Sequence, residues 1–145
     1  MLRLFAYISV AFALCVTPAL AQPSADEQAV TRAVFDYFHG QGEASAERLQ
    51  RAFLADKATM IAVAPAEGGG ETVTTYSDMN EWLTRWASNP NPPGGARDGA
   101  ILDMHITDGR IAIVMFRSTD RFYDALTLVK VNGEWRIVSK VFVRQ

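Results

Sequence analysis

The sequence predicts an α+β fold in which a curved antiparallel sheet wraps around three helices. Three observations lead there. Helical periodicity runs from Ala25 to about Leu54 and returns between Ser77 and Trp86. Asn132-Gly133 and Asp108-Gly109 each lie between β-rich runs, where Asn, Asp and Gly supply the positive φ that a tight hairpin needs. The apolar alternation of those hairpins makes one continuous sheet face, and three upstream helices are all that is available to cover it. At 145 residues, about half of them apolar, the chain has room for one domain with one core.

The first 21 residues stand apart. Arg3 is followed by an apolar run from Leu4 to Val16 and then by Thr17-Pro18-Ala19-Leu20-Ala21, the three-part pattern of a secretory signal with Ala-x-Ala before the cut. Cleavage after Ala21 is expected, leaving residues 22–145 as a single exported domain, periplasmic or secreted. The apolar run is too short to favour a membrane span. Cys15, the only cysteine, leaves with it, so the mature domain has no disulfide, thiol nucleophile or Cys metal site. The remaining 13 basic and 16 acidic residues, without a basic run, give no footprint for nucleic acid or an anionic membrane.

In the mature chain, Val30, Ala33, Val34, Tyr37 and Phe38 mark one helical face, and Gly40 reads as the stop. Ser45 caps a second helix to about Leu54. Thr59 to Val63 and Glu71 to Tyr76 are strands separated by Gly68-Gly69-Gly70, which lacks the Lys-Ser/Thr of a phosphate-binding loop. Ser77 reads as the cap of a third helix, with Asp78 in its first turn and Met79, Trp82, Leu83 and Trp86 as its stripe. Asn89 to Gly99 is a Pro/Gly-rich loop, with Arg97 available to an acidic ligand or to Asp98.

Ile101 to Ile106 and Arg110 to Ser118 form the first hairpin. With a two-residue turn, Leu102, Met104, Ile106, Ile111, Ile113 and Met115 share a face. Phe122 to Val131 and Glu134 to Val143 form the second, pairing Leu128 with Ile137, Leu126 with Ser139 and Asp124 with Val141. An even reversal at Thr119-Asp120 sets Met115 opposite Asp124. Asp124 is then the single carboxylate on an apolar face, where burial disfavours its charge unless a donor compensates.

Tyr123-Asp124-Ala125-Leu126-Thr127-Leu128, Asn132-Gly133-Glu134-Trp135-Arg136-Ile137 and Lys140-Val141-Phe142 resemble the C-terminal signature of the putative lumazine-binding family, within the nuclear transport factor 2-like superfamily. The upstream order fits from about Glu27 onward. The resemblance implies the cone-like, cystatin-like architecture, with a cavity between the concave sheet face and the helices. It also implies, by likeness to ketosteroid isomerases, epoxide hydrolases, dehydratases and polyketide cyclases, that a pocket carboxylate is where proton transfer would occur.

Asp124 and Tyr37 are accordingly the candidate catalytic pair. The candidate ligand-binding residues are Tyr37, Phe53, Trp82, Trp86, Met104, Met115, Asp124, Leu126 and Trp135. Each also has a plain core reading, with Asp124 a structural carboxylate bonded to Tyr37, Trp135 or a backbone N–H. Asp56 is a second carboxylate candidate at a helix-to-strand corner. His39 and His105 are too few and too far apart for a metal cluster, and no cofactor is expected. The function classes left open are a small-molecule-binding protein, a proton-transfer enzyme and an interaction module with a vestigial cavity. A homodimer is expected through the outer sheet face, where Tyr123, Ala125, Val129, Val138 and Phe142 align with Val114 and Phe116.

Overall fold

A computed structural model describes residues 22–94, 97–118 and 121–144. The expected signal segment, the middle of the Asn89–Gly99 loop and the Thr119-Asp120 reversal lie wholly or partly outside these residues. Helix α1, Ala25–Glu43, opens on a capping box. The Ser24 hydroxyl accepts the Glu27 backbone N–H, and the Glu27 carboxylate accepts that of Ser24. The helix passes straight through Gly40, which was expected to end it, and stops at Ala44, whose φ is 52°. Gly40 is instead a packing glycine: a Cβ there would sit 3.0 Å from both Arg48 Cβ and Leu49 Cγ of the next helix. That helix, α2 (Ala46–Ala52), is capped by Ser45 as expected. Helix α3, Met79–Ala87, is capped by Asp78 rather than Ser77, because the Asp78 carboxylate accepts the Glu81 N–H.

Strands β1 (Thr59–Pro65), β2 (Glu71–Tyr76), β3 (Gly99–Thr107), β4 (Ile111–Ser118), β5 (Phe122–Val131) and β6 (Glu134–Arg144) form one sheet in the order β2-β1-β6-β5-β4-β3. Neighbours are antiparallel except β1 and β6, which run parallel. This is the three-helix, curved-sheet α+β architecture the sequence predicts, with a mixed sheet in place of the wholly antiparallel one expected, because β1 joins the sheet beside β6 and not beside a hairpin partner on both sides. The concave face packs Ala112, Val114, Phe116, Leu126, Leu128 and Ile137 against Val30, Val34 and Phe38 of α1 and Leu49 of α2, all fully or nearly fully buried.

Two registers differ from expectation, for one reason: turn length. The Asp108-Gly109 turn takes three residues, pairing Thr107 with Ile111, and three more separate the paired Ser118 and Phe122. Each odd count reverses a strand's faces. The two reversals cancel for β5 and for Met104 and Ile106 of β3, where a bulge between Ile101 and Asp103 turns Leu102 outward, against expectation, but they leave β4 inverted. Ala112, Val114 and Phe116 therefore point inward, and Ile111, Ile113 and Met115 point out.

The second difference is a β-bulge in β6. Leu128 pairs with Ile137 but Thr127 pairs with Ser139, so Val138 is an extra residue. Beyond it, Lys140 pairs with Leu126 and Phe142 with Asp124, replacing the expected Ser139 and Val141. The bulge turns Lys140 and Phe142 onto the concave face.

Candidate functional site

Asp124 is fully buried on β5, and both carboxylate oxygens have donors. Lys140 Nζ lies 2.6 Å from Oδ1 and donates to it, and the Tyr37 hydroxyl donates to Oδ2 over 3.0 Å. Sequence reading finds Asp124 and Tyr37 but misses Lys140, since strict alternation places it outside. A bulge in a run as regular as Trp135 to Val143 leaves no local signal. The lysine is only 3% exposed. Burial pushes its ammonium below the usual lysine range, and the neighbouring Asp124 charge opposes that shift. Burial also raises the Tyr37 phenol well above its ordinary value, with the Asp124 charge adding to the effect. The lysine ammonium lies 4.1 Å from the Phe142 ring centre and 5.4 Å from that of Tyr37, so aromatic faces share in holding its charge.

In front of this network is a cavity of about 140 Å³. Tyr37, Met60, Tyr76, Trp82, Trp86 and Phe142 line it with apolar surface. Its polar groups come from Lys140, Ser118 and Gln41, and Phe122 completes the lining. Asp124 is not among the lining residues: Lys140 and Tyr37 stand between it and the cavity. The walls are held by ring contacts, Tyr76 on Trp82 at 4.7 Å and Trp86 on Tyr37 at 6.0 Å.

The other candidates are placed elsewhere. Phe53 packs behind the wall, edge-on to Tyr37 at 5.6 Å. Leu126 is fully buried core, and Met104 is half-buried on β3 against that core. Met115 lies on the convex face and is 38% exposed, a correction that follows from the inverted β4. Trp135 is buried at the far end of the sheet, where its indole N–H donates to Asp26 in the first turn of α1. Lys130 donates to the same carboxylate over 2.7 Å, which clamps the start of α1 to the second hairpin. Asp56 is exposed beside Lys57, His105 is exposed, and His39 stacks on Phe35. Among the described residues, no group of three or more His, Cys, Asp or Glu side chains is arranged to hold a metal.

A family model described as Putative lumazine-binding matches residues 25–143. The chain belongs to that family. No curated protein matches its sequence significantly. This Putative lumazine-binding chain resembles several solved structures. One is a nuclear transport factor 2-like protein of unknown function from Shewanella baltica OS155, with 23% identity, 81% of this chain and 92% of that one covered, and a TM-score of 0.62. Another, of the same description and from Methylobacillus flagellatus KT, has 25% identity, 86% and 96% coverage and a TM-score of 0.62. A ketosteroid isomerase-like protein from Erwinia carotovora atroseptica SCRI1043 matches at 13% identity, with 83% and 96% coverage and a TM-score of 0.54.

Proposed function

We propose that this is an exported small-molecule-binding protein, periplasmic or secreted, that holds a small aromatic or apolar ligand in the cone cavity. The observation that carries the reading is an aromatic-walled cavity with a buried lysine and a serine among its lining residues, the combination of apolar enclosure and few convergent polar groups that ligand sites use. Its volume, below the ~300–1,000 Å³ of drug-sized sites, suits one or two fused rings. The family's name agrees with a fused-ring ligand. Mass spectrometry of the natively purified protein tests this: a retained ligand that is lost in Ser118→Trp, which fills the cavity, is the expected result. Retention of the same ligand by that variant would place it elsewhere.

A second reading is a ketosteroid-isomerase-like enzyme acting as an isomerase, lyase or hydrolase. It is favoured by the Tyr37–Asp124–Lys140 network, in which a desolvated amine, not the carboxylate, meets the cavity. Lys140 would then exchange the proton with the substrate while Asp124 and Tyr37 hold it in place. Turnover of a cavity-sized ketone that survives in Lys140→Met would refute this role.

The homodimer is proposed through the convex face on a corrected set of residues. Val114, Phe116 and Phe142 face inward, whereas Ile113 at 55% exposure, Leu102 at 52% and Ile111 and Met115 beside them give that face its apolar surface. Sedimentation should show a dimer at about tens of micromolar and a monomer for Ile113→Glu. A monomeric wild type would remove the proposal.

A further inference from the structure

A second cavity, of about 420 Å³, adjoins the first and shares Gln41, Trp86 and Phe122 with it. It adds two cations, Arg97 and Arg121, and Pro93 of the Pro/Gly-rich loop. Arg97 is unusual in its bonding. The adjacent carboxylate, Asp98, pairs with Arg117 at 3.1 Å instead, and no carboxylate pairs with Arg97 among the described residues. Its Nη1 donates to the Phe38 carbonyl over 2.7 Å, and its guanidinium carbon lies 4.2 Å from the centre of the Phe38 ring. Its Nε is buried without any hydrogen-bond partner.

The guanidinium is also built in. At Gly42 on α1, a Cβ would stand 2.5 Å from Nη1, so the helix surface is open only because that position is glycine. A half-buried cation seated in a fitted groove without a counter-charge pays desolvation that an anion would offset. Burial accordingly lowers the Arg97 pKa, opposed by Tyr37 and by no carboxylate.

We infer that the second cavity is an anion subsite, in which Arg97, assisted by Arg121, binds the acidic group of a small aromatic acid whose ring occupies the inner cavity. The inference rests on the ligand-binding reading above and specifies the chemical class of its ligand. Trp86 and Phe122, common to both cavities, bridge the ring and the acid. A carboxylate, sulfonate or phosphate presents the charged acceptor oxygens that guanidinium recognises. Lys140 does not compete for this acid, because its charge is matched by Asp124.

The test uses two fluorescent probes of one ring system, naphthalene-1-sulfonate and its neutral counterpart naphthalene. Wild type should bind both, with the sulfonate favoured and the preference weakened by salt. Arg97→Gln should weaken the sulfonate roughly tenfold, the factor that one charge-assisted hydrogen bond supports, and leave the neutral probe unchanged. Arg97→Lys should retain most of the preference. Because the neutral probe reports on the inner cavity, it also verifies that the variants are folded. An unchanged preference in Arg97→Gln overturns the anion subsite while leaving the ligand-binding reading intact, and so does equal loss of both probes, which would make Arg97 structural. Failure of wild type to bind the neutral probe overturns both.

Discussion

Replacing Lys140 by Met removes the cation from a carboxylate that water does not reach. Asp124 would keep only the Tyr37 hydroxyl as donor, and breaking a buried pair by deleting one partner costs about 3–5 kcal/mol. Asp124→Asn should cost a similar amount, since it strands the ammonium instead. The double variant, Asp124→Asn with Lys140→Met, has no buried charge, and Asn can still accept from Tyr37, so it should lose only about 1–2 kcal/mol. The cycle then gives a coupling of at least about 4 kcal/mol, against about 0.5 for independent sites. Urea melts of the four proteins near neutral pH measure it.

The pH dependence has a definite sign. The folded pKa of Lys140 lies below its ordinary 10.5, so between those values the unfolded chain holds a proton that the native protein has lost. Native stability therefore rises with pH through that window. Above about pH 10 the raised Tyr37 value acts in the opposite direction, because the native phenol keeps a proton that the unfolded chain gives up. Lys140→Met should lack the rise while keeping the fall. Additive single variants, or a Lys140→Met profile parallel to wild type below about pH 10, would refute a buried, mutually dependent pair.

Gly40→Ala should destabilise by about 1 kcal/mol in denaturant melts, since overpacking of about 1–3 kcal/mol outweighs a helix-propensity gain of about 1. A more stable variant would show that α2 yields at that contact. Asp26 has its pKa lowered, first by the hydrogen bond from Lys130 and then by that from Trp135. Its contribution is thus present above the ordinary carboxylate value of 3.8 and is lost as pH falls through the folded value. Wild type and Asp26→Asn should accordingly differ near neutral pH and converge in acid melts, and a constant gap would contradict this. Deleting Val138 should remove the bulge yet leave Lys140 and Phe142 facing inward, because Ser139 already pairs with Thr127. The deletion should therefore still bind naphthalene, and a folded protein that does not bind it would show that the bulge shapes the cavity.

Local chemistry was enough to read most elements from the sequence. Ser45 and the Asn132-Gly133 and Asp108-Gly109 dipeptides act over two to four residues, and the cap of α2 and the two hairpins follow from them. The helical stripe of α1 was equally legible, and so was the pairing of Tyr37 with Asp124 as neighbours in a buried site. Gly40 was misread because its role is set by α2 passing over it, a contact with no trace in the sequence of α1.

The inward face of β4, the arrival of Lys140 beside Asp124 and the isolation of Arg97 had to wait for the tertiary structure. The first two depend on counting residues through turns and a bulge, where one residue reverses every side chain beyond it and the composition is unchanged. The third depends on Asp98 choosing Arg117 across the strand instead of its own neighbour. Sequence determined the fold and the buried carboxylate, because periodicity and turn propensity are properties of short segments. Tertiary structure decided which charges meet in the cavity, because that is settled by register and by competition among partners distant along the chain.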